Sequence, residues 1–141
     1  NMPSTLPERF EAGTMSTPAI GALKKGIDFV KIRGAEEIYA HECVLGKRLT
    51  EMLTSVRNTK VYMPEKIGGT VLFNYADMSS EQLAGEIEKA GICVRAGLHC
   101  APLAHKTLGT PEYGAVRVSF SIFNTKNEVD NFYRVYSNIV K

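Results

Sequence analysis

The stretch Lys60-Val61-Tyr62-Met63-Pro64-Glu65-Lys66-Ile67-Gly68-Gly69-Thr70-Val71-Leu72-Phe73-Asn74-Tyr75 marks the point where the chain changes its period. Upstream, apolar residues recur at helical spacing, about every 3.6 residues. Here the period falls to about two, carried by the β-branched and aromatic residues that suit a pleated surface. Lys60–Met63 and Thr70–Tyr75 therefore read as strands, with Gly68-Gly69 as the turn signal between them.

Working outward, residues 1–13 carry two prolines and little periodicity and read as an extended lead-in. Ser16 or Thr17 is the expected N-cap of a first helix, with Pro18 near its first position. Ile20, Leu23, Ile27 and Val30 form its stripe, and Gly34 ends it. A second helix is expected over about 35–56, with Ile38, Leu45, Leu49, Met52, Leu53 and Val56 on one face. His41 and Cys43 fall in this helix without a partner at ligand spacing and read as structural. Downstream, Ser79-Ser80-Glu81-Gln82 resembles a capping box that opens a helix over about 80–90, which Gly91 ends. Ile92-Cys93-Val94 reads as a third strand in which Cys93 packs as a small core residue, and Ala115–Phe120 as a fourth. A short helical piece is expected over about 101–107. Thr125 and Glu128 cap a last helix whose Val129, Phe132, Tyr133, Tyr136, Ile139 and Val140 share a face. Two successive strands, followed by strands that alternate with helices, predict an α+β two-layer sandwich. Its sheet is small and mostly antiparallel, with helices packed on one face.

Composition narrows the function classes. The chain has 141 residues, one domain's worth, and a formal net charge of +2, too small to argue for a nucleic-acid or membrane surface. No apolar run approaches the roughly 20 residues of a membrane span. The opening Asn1-Met2-Pro3-Ser4 is neither basic nor apolar, so no secretory signal is expected. Three cysteines do not make a disulfide framework, and a cytoplasmic location is expected.

The segment Arg95-Ala96-Gly97-Leu98-His99-Cys100-Ala101 gathers a guanidinium, a flexible glycine, an imidazole and a thiol within six residues. Arg95, five residues before Cys100, can hold a thiol as the nucleophilic thiolate. The plain alternative is an inert small hydrophobe. A zinc site on His99, Cys100 and His105 is a weaker reading, because Cys43 and Cys93 supply no CxxC spacing. On the last strand, alternation sets Arg117 and Ser119 opposite Val116 and Val118. Arg117 is either a solvated strand residue or a fork for a carboxylate.

Taken together, Arg-x-Gly-x-His-Cys-Ala, the strand with Arg117, and Phe123-Asn124-Thr125-x-x-Glu128-Val129-Asp130 resemble the C-terminal end of the cysteine desulfurases. Arg9-Phe10-Glu11-Ala12-Gly13-Thr14, followed by Pro18, resembles the same family's entry into that domain. These are class V aminotransferase-type, fold-type I enzymes that use pyridoxal 5'-phosphate. The resemblance implies that residues 14–141 form their C-terminal small domain and that the large cofactor-binding domain is absent. It implies that Cys100 is the nucleophile that takes up sulfur as a persulfide. Arg117 would bind the substrate carboxylate, with Arg95 and His99 beside the same pocket. Thr14 would reach the cofactor phosphate of the other subunit of a homodimer. The lysine that anchors the cofactor has no counterpart here, since Lys24, Lys25 and Lys106 stand in other surroundings, so this stretch is expected to be inactive alone. Leu98 stands where the family often has a further histidine. L-cysteine or a related amino acid is the implied substrate, and a sulfur-acceptor protein the implied partner, with no metal, nucleic acid or membrane. Another class V activity (aminotransferase, epimerase or selenocysteine lyase) and a non-catalytic α+β binding module remain as alternatives.

Overall fold

A computed structural model describes residues 3–10, 13–76 and 78–141. The chain divides into two compact units, residues 1–35 and 36–141. In the first, the lead-in is not wholly extended, because Glu8–Phe10 turn through a short 3-10 helix. Helix α1, Thr17–Arg33, starts at Ser16, with Pro18 in its first turn, and closes through Gly34 N–H donating to the Val30 carbonyl. The Ser16 side chain makes no cap hydrogen bond. The expected apolar stripe forms, yet no residue of α1 is buried, and Ile20, Leu23, Ile27 and Val30 are all exposed.

The second unit holds all but the first residue of α2 (Ala35–Thr54), then β1 (Thr59–Tyr62), β2 (Thr70–Tyr75), α3 (Ser80–Lys89), α4 (Pro102–Leu108), β3 (Val116–Ser119) and α5 (Lys126–Ile139). Its sheet is antiparallel in the order β1-β2-β3, with Val61 opposite Phe73 and Phe73 opposite Val116. The inward residues Val71, Phe73, Val116 and Val118 meet Leu45, Leu49 and Leu53 of α2, Leu83 and Ile87 of α3, and Val129, Phe132 and Tyr136 of α5. Phe73 takes two rings edge-on, Tyr136 at 5.3 Å and Phe132 at 6.1 Å, the arrangement that aromatic quadrupoles favour. Both expected capping boxes are present, Ser79 with Gln82 and Thr125 with Glu128. Arg48 of α2 grips Asp130 of α5 through two bonds of 2.7 and 2.9 Å, fixing one helix against the other.

The third strand expected at Ile92-Cys93-Val94 does not form. The one ladder contact falls a residue later, as an isolated antiparallel bridge between Arg95 and Arg117. Cys93 is therefore exposed rather than packed in the core. The stretch is apolar enough for a strand, but Gly91 turns the chain just before it and the site loop begins just after it. Only one residue comes into register.

The other face of the sheet carries Lys60 and Tyr62 of β1, Leu72 and Asn74 of β2, and Arg117 of β3. Residues 97–115 cross this face. Asn74 Nδ2 donates to the Gly114 carbonyl at 2.9 Å and to the Tyr62 hydroxyl at 3.1 Å. Ser80 Oγ, in the first turn of α3, donates to the Tyr113 carbonyl at 2.7 Å. Within the crossing segment the Ala115 N–H donates to the Gly97 carbonyl at 3.2 Å, so its two ends lie back to back. The sheet thus has three long helices on one side and the thiol-bearing loop with α4 on the other.

Candidate functional site

The site grows out of the Arg95–Arg117 bridge. Each residue donates its N–H to the other's carbonyl, at 3.1 and 2.7 Å. In an antiparallel pair, residues directly opposite point to the same face, so two guanidiniums leave the backbone side by side. Like charges in that position destabilise a sheet unless an anion joins them. Among the described residues neither arginine forms an ion pair, and Arg117 Nε is buried without a hydrogen-bond partner.

Two residues past Arg95 the chain turns at Gly97 and then places His99 and Cys100 at φ of 53° and 58°, consecutive left-handed positions without a glycine. Such conformations cost about 1–3 kcal/mol each and persist where surrounding bonds dictate them. Here the Ala101 N–H donates to the Leu98 carbonyl at 2.8 Å. His99 Nε2–H donates to the Ala115 carbonyl at 3.0 Å, which fixes the neutral ring as its Nε2–H tautomer and leaves Nδ1 buried and unpartnered. The His99 ring lies 5.4 Å from that of His105, a buried residue of α4 whose Nδ1 bonds Thr110 Oγ1 at 2.8 Å. Burial is the largest influence holding His99 below the ordinary histidine range. The bond to Ala115 works against it, and Arg117, His105 and Arg95 add to the depression.

Cys100 is exposed at the outer end of this loop, with Arg95 Nη2 directed at its sulfur at 4.0 Å. Cys43 is half-buried and its thiol donates to the Ile67 carbonyl at 3.2 Å, while His41 bonds the Asn124 carbonyl at 2.9 Å. Both hold structure, as their helical positions suggested. Among the described residues no three His, Cys, Asp or Glu side chains gather closely enough to hold a metal ion. A cleft of about 540 Å³ between β1, β2 and the start of α3 is lined by Lys60, Tyr62, Asn74 and Tyr113, and none of the site residues lines it.

The structure therefore brings Arg95, His99, Cys100 and Arg117 into one constellation. Thr14 is exposed and belongs to the other compact unit. His105 and Thr110 were missed as supports of the site; the only signal was a histidine five residues beyond the thiol, which the zinc reading had absorbed. Of the three thiols, Cys100 alone combines exposure with a guanidinium at its sulfur. Brief iodoacetamide treatment followed by mass mapping is expected to label Cys100 first, Cys93 next and Cys43 last. Earlier labelling of Cys43 would contradict this geometry.

The thiol loop thus lies on the face of this small α+β sheet opposite the core helices, beside the paired arginines. A family model for the class V aminotransferases matches residues 3–132, and the chain belongs to that family. It is 36% identical over 125 residues to a probable cysteine desulfurase of Halalkalibacterium halodurans, covering 89% of this chain and 30% of that protein. It is 34% identical over 124 residues to a cysteine desulfurase of Cronobacter sakazakii, covering 88% and 30%. Among solved structures, apo cysteine desulfurase from Thermococcus onnurineus NA1 superposes with a TM-score of 0.85 at 36% identity, over 95% of this chain and 34% of that one. A cysteine desulfurase of Escherichia coli superposes with a TM-score of 0.83 over 96% of this chain and 34% of that one. At 20% identity it speaks to the fold alone. The chain spans about a third of the length of these relatives.

Proposed function

We propose that residues 14–141 form the small domain of a larger cysteine desulfurase, contributing the sulfur-accepting thiol and the carboxylate grip. One observation carries the reading: two guanidiniums project together from the Arg95–Arg117 bridge with no anion paired to them among the described residues, and one of them reaches the exposed Cys100 sulfur. The pair suits the α-carboxylate of an amino acid such as L-cysteine, because parallel N–H donors match a carboxylate's two oxygens. Arg117 binds that carboxylate, with Arg95 and His99 beside it. Cys100, as thiolate, attacks the substrate sulfur. A new Sγ–S bond forms as the substrate's C–S bond breaks, the electron pair stays with the carbon, and that carbon takes a proton and leaves as alanine. The persulfide on Cys100 then passes to a sulfur acceptor.

Pyridoxal phosphate, when bound, supplies the sink for negative charge on the substrate carbon. The residues here fit its substrate side. Among the described residues the constellation of Arg95, His99, Cys100 and Arg117 includes no lysine, and we assign the cofactor's anchor to another part of the enzyme. Thr14, exposed in the first unit, is available to a phosphate of the partner subunit. The uncovered stripe of α1 fits the same view, as an apolar face that a larger enzyme would bury. Turnover by the whole enzyme would take place in the cytoplasm.

The test is direct. The longer enzyme, loaded with cofactor and mixed with L-cysteine, is expected to show Cys100 heavier by one sulfur atom in mass spectra under non-reducing conditions. Sulfide release with Cys100 unmodified throughout would sink the reading.

A further inference from the structure

We propose that a carboxylate seated on the Arg95–Arg117 pair brings a proton with it, taken up at Nδ1 of His99. The inference rests on the carboxylate grip described above and adds a role for the imidazole. Its basis is geometric. The Nε2 side of His99 is committed to the Ala115 carbonyl, two residues before Arg117, so the ring is held against the strand that bears the guanidinium. Nδ1 is turned inward and has no donor, so it is the ring atom left to receive a proton.

The groups facing this imidazole come from each element packed around it. Arg117 on β3 and Arg95 at the bridge before the loop both act on the charge of the ring, and the His105 ring of α4 lies 5.4 Å away. Glu81 of α3 approaches the loop at Gly97, its Oε1 3.9 Å from where a Cβ would stand. With no carboxylate seated between the arginines, their two positive charges oppose a third on the ring. A carboxylate between the guanidiniums cancels one of those charges, and protonation of His99 becomes easier. By linkage the converse holds, and the site binds carboxylate more tightly once His99 is charged. Proton occupancy at His99, next in sequence to Cys100, then rises when the carboxylate binds and falls when it departs.

The measurement is a histidine-selective NMR titration of the chain in propionate and in chloride at matched ionic strength, with the Arg117 Nε–H signal as the independent report of binding. In propionate the His99 midpoint is expected to move to higher pH, with the nitrogen shifts assigning the new proton to Nδ1. In Arg117→Gln the midpoint should already sit higher in chloride and should not respond to propionate. If propionate shifts the Arg117 signal and the His99 midpoint stays still, the coupling is overturned while the carboxylate grip stands. An equal upward shift in Arg117→Gln overturns it as well. If the Arg117 signal never responds, the grip itself fails and the coupling falls with it.

Discussion

Sulfide release by the proposed longer desulfurase should fall by about 10³-fold or more when Cys100 is changed to alanine, with little change in how tightly the substrate binds. The reasons lie in how separately the two tasks are housed. Carboxylate binding is assigned to guanidiniums on the sheet face and its bridge, held by backbone bonds at 2.7 and 3.1 Å that do not involve the Cys100 side chain. Sulfur capture is assigned to one atom on a loop whose left-handed turn is fixed by His99 and by the Leu98–Ala101 bond. Neither of the other two thiols of this chain is placed as Cys100 is. Cys43 is tied to the Ile67 carbonyl, and Cys93 lies before the Arg95 bridge, outside the left-handed turn that presents the Cys100 thiol. Removing the sulfur should therefore lower kcat and leave KM close to its original value, the signature of a group that acts only as the reaction proceeds. A variant that kept most of its sulfide release would return the constellation to the status of a binding site. The other class V activities would then become the better account.

Much of this fold was legible because local signals and tertiary packing agree. The Ser79/Gln82 and Thr125/Glu128 boxes start their helices where expected, and the change of period at Lys60 gives the β1–β2 pair. What the sequence hid was decided by long-range partners. Ile92-Cys93-Val94 has strand composition, yet strand formation needs a neighbour in register, and only Arg95 finds one. The direct opposition of Arg95 and Arg117 could not be read from alternation, because the residues between them form a loop whose closure sets the pairing. The stripe of α1 was visible as a helical period, whereas its exposure was not, since periodicity tells which side is apolar and not what covers it. The buried His105–Thr110 pair escaped for a related reason. A histidine beside a thiol suggests a ligand set, and only the fold turns it inward to face a hydroxyl.

The second large effect concerns stability and is expected at a residue with no side chain. Gly114→Ala should destabilise the second unit by about 3 kcal/mol, whereas Gly109→Ala, a few residues earlier, should cost about 1 kcal/mol. Both glycines are left-handed, at φ of 59° and 74°, so both substitutions carry the conformational penalty of an L-residue there. They differ in what a new methyl meets. At Gly109 nothing lies within 4 Å, while at Gly114 the Cβ would stand 2.6 Å from the Gly97 Cα. The obstacle is backbone, so no rotamer change can relieve it, and the two ends of the crossing segment must part. That motion strains the Ala115–Gly97 bond and the hold of Asn74 on the Gly114 carbonyl. The core of Leu45, Phe73, Ile87 and Tyr136 belongs to the other face and should stay packed, so the helices should keep their signal while the loop moves. Because Arg95 lies two residues before Gly97 and Arg117 three beyond Gly114, the same displacement should separate Arg95 from the Cys100 sulfur and slow its alkylation. Urea unfolding of the two variants, read beside the Cys100 labelling rate, checks both parts. Equal losses in Gly114→Ala and Gly109→Ala, with labelling unchanged, would mean that the close approach at Gly97 does not govern the loop, and the account of how the thiol is positioned would have to be rebuilt.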